Sequence, residues 1–208
     1  KFTNPVKELF FLAKEETGNT HSSYPNELKT LVSNDAIDDD HFGNSVSVDG
    51  DTMIVGAPDK HDYTSGTYIR KSGAAYIFAR TNPTSSWPQT QKLTPHKDSG
   101  TTYAHFGDSV AIDGDTMIIG ERGFRDSAGY YAGAAYIFTL DNGVWVQRAR
   151  LTVPTHTADH VQFGYGVAID GDTVVIGEPA ETASDPASIS YPGGAAYIFT
   201  RDIAGDLT

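Results

Sequence analysis

The chain has 208 residues, 38% hydrophobic and 11% aromatic, which is enough to bury a core and too apolar for a disordered segment. Its 15 Lys and Arg against 27 Asp and Glu leave a formal charge of −12, which repels phosphate backbones and anionic lipid and argues against nucleic acid as a partner. There is no Cys, hence no disulfide framework, thiol nucleophile or thiolate metal site, and no stretch approaches the roughly 20 apolar residues of a membrane span, so direct membrane insertion is not expected.

Taken in order, the chain opens on Lys1 and not Met, which suggests processing or a piece of a longer polypeptide. Ser22-Ser23-Tyr24-Pro25 echoes Ser85-Ser86-Trp87-Pro88, and the echo predicts strands over Leu9–Ala13 and Glu27–Leu31. A helix over Pro5–Glu16, with Asn4 as N-cap and Gly18 as the stop, is the competing reading. Asp38-Asp39-Asp40 follows and reads as solvated loop charge.

From there a single pattern runs three times. Phe42-Gly43, Phe106-Gly107 and Phe163-Gly164 each lead into an alternating strand, an Asp-Gly-Asp turn and a second apolar strand. Gly-Ala-Ala-Tyr-Ile-Phe then returns at Gly73–Phe78, Gly133–Phe138 and Gly194–Phe199. Phe42 to Phe106 is 64 positions and Phe106 to Phe163 is 57, with the Gly-Ala-Ala motif recurring after 60 and 61. A period near 60 with variable loops marks a repeat architecture.

Each period predicts four strands: Ser45–Val48, Thr52–Val55, Ala74–Ala79 and Thr90–Thr94 in the first copy, with Gln147–Thr152 the fourth of the second. Asp49-Gly50 favours a tight hairpin between the first two. The second and third strands are apolar on both faces, as strands covered by neighbouring sheets are. Four short antiparallel strands per repeat describe a β-propeller blade. The expected fold is therefore all-β, a propeller segment over 1–208. Its parts are 1–40 as the end of a preceding blade or an N-terminal extension, 41–95 and 105–152 as blades, and 162–208 as an incomplete blade. About three blades are fewer than the four or so that close a ring, so part of a larger ring is expected.

The spacing of Phe42-Gly43 from Gly56-Ala57-Pro58 resembles the FG-GAP repeat of integrin α-chain propellers and of many secreted proteins. Phe106-Gly107 with Gly120-Glu121, and Phe163-Gly164 with Gly177-Glu178-Pro179, are degenerate versions. The resemblance covers about Leu9 to Phe199 and implies a non-enzymatic module for protein binding or assembly, extracellular or at the cell surface. Its partner would be another protein or further blades of the same polypeptide, with a carbohydrate-binding propeller as the alternative. Integrin-type repeats carry a calcium loop between the first two strands. Here that connection shrinks to Asp49-Gly50-Asp51, Asp113-Gly114-Asp115 and Asp170-Gly171-Asp172, too short for six to eight oxygen ligands, so the expectation is corner residues with no metal and no cofactor.

No nucleophile elbow, zinc-protease motif or phosphate-binding loop appears, and no catalytic residue is assigned. His41 and His105, both directly before Phe-Gly, read as shared structure on blades too far apart to act together. The connections between second and third strands vary most and share one end of a propeller. They supply the candidate binding residues Asp59, His61, Asp62, Tyr63, Arg122, Arg125, Tyr130, Tyr131 and Tyr191, beside Tyr68, Arg70 and Phe124, because Tyr and Arg are over-used in binding hot spots.

Overall fold

The computed structural model describes residues 30–63, 68–82, 85–95, 102–127, 129–153, 162–179 and 194–201. The chain divides into two units, Lys1–Leu31 and Val32–Thr208, and every described strand belongs to the second. The alternatives over Pro5–Glu16 and Leu9–Ala13, and all of Glu27–Leu31 but Thr30 and Leu31, lie outside the described residues.

Among the described residues eleven strands form three antiparallel sheets. The first is β1 (Val46–Asp49), β2 (Thr52–Ala57), β3 (Ala74–Ala79) and β4 (Gln89–Leu93). The second is β5 (Phe106–Asp113), β6 (Thr116–Glu121), β7 (Ala134–Asp141) and β8 (Val144–Leu151). The third holds β9 (Gly166–Asp170), β10 (Thr173–Glu178) and β11 (Ala195–Thr200). Strand order follows chain order within each sheet, as in propeller blades, and among the described residues the sheets do not close into a ring.

Side chains alternate across each strand, so every sheet offers one face to each neighbour. Ile54, Ala75 and Ile77 of the first sheet pack against Met117, Ile119, Tyr136 and Phe138 of the second. The opposite face of the second sheet, with Ile118, Ala135 and Ile137, packs on Phe163, Val174 and Ile176 of the third. Two inter-sheet layers thus hold much of the core, and on the other face of the first sheet Val55, Tyr76 and Phe78 are buried as well. At the outer edge, the Gln91 side-chain amide donates to the Trp145 carbonyl at 2.8 Å and accepts from its N–H at 2.9 Å. This outer-strand glutamine thus ties two sheets together.

The Phe-Gly motif docks the same way three times. His41, Gln162 and His105 precede it at φ 53°, 56° and 58°, and the following glycines sit at φ 92°, 88° and 87°, a left-handed pair that turns the chain sharply into the sheet. Phe42 lies edge-on to Tyr76 and Phe78 at 5.6 and 6.0 Å, Phe106 to Tyr136 and Phe138 at 5.4 and 6.3 Å, and Phe163 to Tyr197 and Phe199 at 5.3 and 6.4 Å. Phe106 and Phe163 are fully buried; Phe42 is only half-buried. The later glycine of the motif answers to close approach: a Cβ on Gly56 would lie 1.9 Å from the Gly107 carbonyl oxygen, and one on Gly120 2.0 Å from that of Gly164.

The Asp-Gly-Asp turns are shifted by one residue from the sequence expectation. Asp49 pairs with Thr52, so the turn is Gly50-Asp51 and Asp49 ends its strand. Its carboxylate accepts the Gly114 N–H of the next sheet at 2.8 Å, and Asp113 likewise accepts from Gly171 at 2.5 Å. These acids are latches between blades as well as corners of a hairpin.

The departures from Gly-Ala-Pro also have a packing reason. Glu121 is fully buried and accepts a hydrogen bond from the Tyr136 hydroxyl. In the first sheet the matching position is Ala57, and Asp35 supplies the acceptor for Tyr76 at 2.7 Å from outside the strands. Burial pushes the Glu121 carboxyl up to about 8 against the opposing Tyr136 bond, so it stays protonated at neutral pH.

Candidate functional site

The β2–β3 and β6–β7 connections emerge at one end of the sheets, with the segments that lead from one sheet to the next. Each connection folds on itself through a short bridge. Asp62 and Ile69 exchange two backbone hydrogen bonds of 3.0 Å, and Arg125 bridges Tyr131 in the second loop. The crossing segment Tyr103–His105 stitches the loops together: Tyr103 and His105 donate backbone N–H groups to the Arg70 and Lys71 carbonyls, and Gly123 donates to Ala104.

Beneath this surface lies an ionic layer centred on the buried Asp59, with His41 at its exposed rim. The Asp59 carboxylate meets Lys71 Nζ at 2.6 Å, His41 Nδ1 at 2.9 Å and His105 Nδ1 at 3.0 Å. Burial pushes Asp59 up, but the Lys71 hydrogen bond and charge, with the two histidines, outweigh it and hold the carboxyl below its ordinary range. Burial and then the Arg122 charge lower His105, while burial raises Asp108 against the pull of Arg122, which lies 2.8 Å away. Lys60 is buried with its ammonium on Asp40 at 2.8 Å and on the Asp35 carbonyl. Asp35 is held at about 2: burial raises it, and the Lys92 and Tyr76 hydrogen bonds more than reverse that.

Three expectations change here. His41 and His105, expected far apart, converge on one carboxylate because the Phe-Gly turn of each blade folds back onto the loop of the first. Asp40, expected in solvated charge, is buried with Lys60, while Asp38 and Asp39 are exposed. Asp59 and Phe124, expected at the recognition surface, are buried; Phe124 joins the core between the first two sheets and takes the Arg150 guanidinium over its ring at 4.7 Å.

Above that layer the aromatics are exposed. Tyr63 and Tyr68 lie 5.1 Å apart, tilted by 38°, with the His61 ring 5.4 Å from Tyr68. His61 is fixed by accepting the Lys71 N–H on Nδ1 at 2.9 Å. The Arg70 guanidinium donates to the Tyr103 hydroxyl at 2.7 Å. In the second loop Arg125 stacks on Tyr131 at 3.6 Å and donates to the Gly129 carbonyl, beside exposed Tyr130. Arg122 sits 6.0 Å from the Tyr165 ring. Tyr191 lies outside the described residues. Sequence reasoning missed Tyr103, whose place between two loops no spacing reveals. Among the described residues no group of three or more His, Asp or Glu is arranged to hold a metal ion.

The chain matches the family profile described as FG-GAP repeat three times, over residues 25–78, 87–138 and 145–199. The second and third matches run from the outer strand of one sheet through the third strand of the next, so the unit of sequence is offset by one strand from the blade. A search of curated proteins returns no match.

Proposed function

The chain belongs to the FG-GAP repeat family, and from that premise we propose that it is a non-enzymatic protein-binding module of an extracytoplasmic protein, working through the loop end of its blades. The repeats support a propeller-type interaction module; the loop surface gives the finer reading. The observation that carries it is the gathering of exposed Tyr63, Tyr68, Tyr103 and Tyr130 with Arg70 and Arg125 on loops already braced by buried charge. Rigid aromatic and Arg side chains present large contact area at small entropic cost, and a braced loop loses little freedom on binding. The extracellular or cell-surface setting rests on the resemblance to integrin and secreted propellers.

Carbohydrate is the second reading, favoured by the exposed Tyr63–Tyr68 pair beside Asp62 and His61, which suits sugar stacking. A glycan array and cell-surface cross-linking, each run with wild type and with Tyr63→Ala/Tyr68→Ala, separate the two. A silent array with a cross-linked protein lost in the variant supports the protein-binding role. Hits within one glycan class that vanish in the variant overturn it.

A further inference from the structure

The residue before each Phe-Gly turn stands in the same left-handed conformation, yet its chemistry differs between repeats. The first two place histidine there, His41 and His105, and the third places Gln162. The two imidazoles meet at the Asp59 carboxylate, where the β2–β3 connection, the first Phe-Gly turn and the segment crossing to the second sheet come together. A titratable ring thus stands where loops of two sheets converge.

The two rings differ in surroundings. The His41 side chain is 61% exposed and that of His105 only 15%. His105 is faced by Asp59 and Lys71 from the β2–β3 connection, Asp108 from β5 and Arg122 from the β6–β7 connection. Tyr103 flanks it at 6.3 Å between rings, and His41 lies across the shared carboxylate. Both carboxylates already hold a cation, Asp59 the Lys71 ammonium at 2.6 Å and Asp108 the Arg122 guanidinium at 2.8 Å. His105 Nδ1 approaches Asp59 Oδ1 at 3.0 Å, and among the described residues it makes no aligned hydrogen bond. A proton on this ring therefore adds a third cation to a largely buried site that has no acid left for it. The backbone that carries the ring also holds the loops. His105 N–H donates to the Lys71 carbonyl at 3.1 Å, Tyr103 N–H to that of Arg70 at 2.8 Å, and Gly123 N–H to that of Ala104 at 3.0 Å.

We propose that His105 is an acid-sensitive pin: in mild acid its ring takes a proton, withdraws from the Asp59 site and parts the crossing segment from the β2–β3 and β6–β7 connections. Release of a bound partner by acid follows from this, and only that consequence rests on the reading of these loops as the binding face. The sign agrees with the electrostatics. Burial, and then the Arg122 charge, lower the His105 pKa, so the folded chain takes this proton less readily than the unfolded one. The contribution of the pin is complete above the ordinary histidine value of 6.5 and is lost as pH falls through the lower folded one. The neighbouring acids do not produce that loss. Asp59 is held below its ordinary range and titrates at lower pH, and burial raises Asp108, whose protonation acts with the opposite sign.

Amide hydrogen exchange of the full chain from neutral pH into mild acid, corrected for the intrinsic pH dependence of exchange, tests this with no partner present. Protection of the Tyr103, His105 and Gly123 amides should fall with pH, by at most about tenfold per unit for one proton. The Ile118 and Ile137 amides of the central sheet should keep theirs, which separates loosening of the loops from unfolding. His105→Gln, the side chain that the third repeat carries in the same conformation, should remove the fall and keep the protection seen at neutral pH. His41→Gln should leave most of the fall, because that ring is open to water. In the wild type itself, proton NMR should show the His105 ring titrating below 6.5, in step with the loss of protection. Flat protection in the wild type, an equal fall in His105→Gln, or a fall that only His41→Gln removes would each overturn the proposal. None of these results bears on what the loops bind, so the reading of the loop end as a binding face stands or falls separately.

Discussion

The second and third sheets have nearly the same inner strands and different surroundings. Met117-Ile118-Ile119 and Ala135-Tyr136-Ile137 are buried on both faces, while in the third sheet Val175 is half-buried and Ala196 and Ile198 are exposed. Burial in this architecture thus depends on what covers each face: the motif is core between two sheets and partly surface in the third, while in the first Tyr76 and Phe78 are buried with Phe42 packed against them. Two changes should break or sharpen that comparison. Phe106→Ala should lower stability by about 3–5 kcal/mol, because its ring fills the junction between two sheets. Phe42→Ala, at the same repeat position with one neighbour, should cost roughly 1–2 kcal/mol. Urea midpoints measure both, and equal losses would defeat the junction argument.

The glycines carry the comparison into the backbone. Gly120→Ala drives a methyl into the Gly164 carbonyl, forcing the second and third sheets apart at about 1–3 kcal/mol or more. Gly177→Ala meets no such obstacle, and its folding free energy should stay within roughly 0.5 kcal/mol. Denaturation should therefore single out Gly120→Ala as the damaged fold and leave Gly177→Ala close to the wild type.

Much of this was legible in the sequence because a repeat compares its own copies. The first strand of each repeat followed from alternation and the next two from apolar runs, the tight turns from Asp-Gly to within one residue, and the blade from a period near 60. What stayed hidden was whatever depends on one blade leaning on another. Nothing in the spacing of His41 and His105 tells that both reach Asp59, or that Asp49 and Asp113 latch a neighbour's turn. Phe124 stood in a variable loop and so read as surface, yet it tops the layer that Phe106 begins. The braced, exposed Tyr63–Tyr68 pair was visible as composition only; its support by the Lys71 N–H through His61 was not.

Glu121 sharpens the comparison by pH. Burial raises its carboxyl from 4.5 to about 8, so the folded state holds the proton more tightly than the unfolded chain. Its favourable contribution is complete below about pH 4.5 and is lost as pH rises toward about 8. The slope reaches at most about 1.4 kcal/mol per pH unit, the value for one proton. Glu121→Gln keeps the shape without the titration, and its stability should be flatter over that range. A wild type and variant with parallel pH profiles would mean that the carboxyl does not titrate there.

The smallest effects belong to the turns, where the family's calcium role would have to reside. Asp113 gives its carboxylate to the Gly171 N–H, and removing it by Asp113→Ala should cost about 0.5–1.5 kcal/mol, the range for one hydrogen bond. Asp170→Ala, at the same repeat position in the third sheet, should cost less, because its side chain is exposed. A chelator discriminates the latch from a metal site. A latch made by a backbone N–H has no use for a cation, since both donor and acceptor come from the chain itself. Chelation should therefore leave the melting temperature of wild type and of both Asp variants unchanged. A fall of several degrees in the wild type, absent from Asp113→Ala, would assign that carboxylate to calcium and make the hydrogen bond to Gly171 a substitute for the ion.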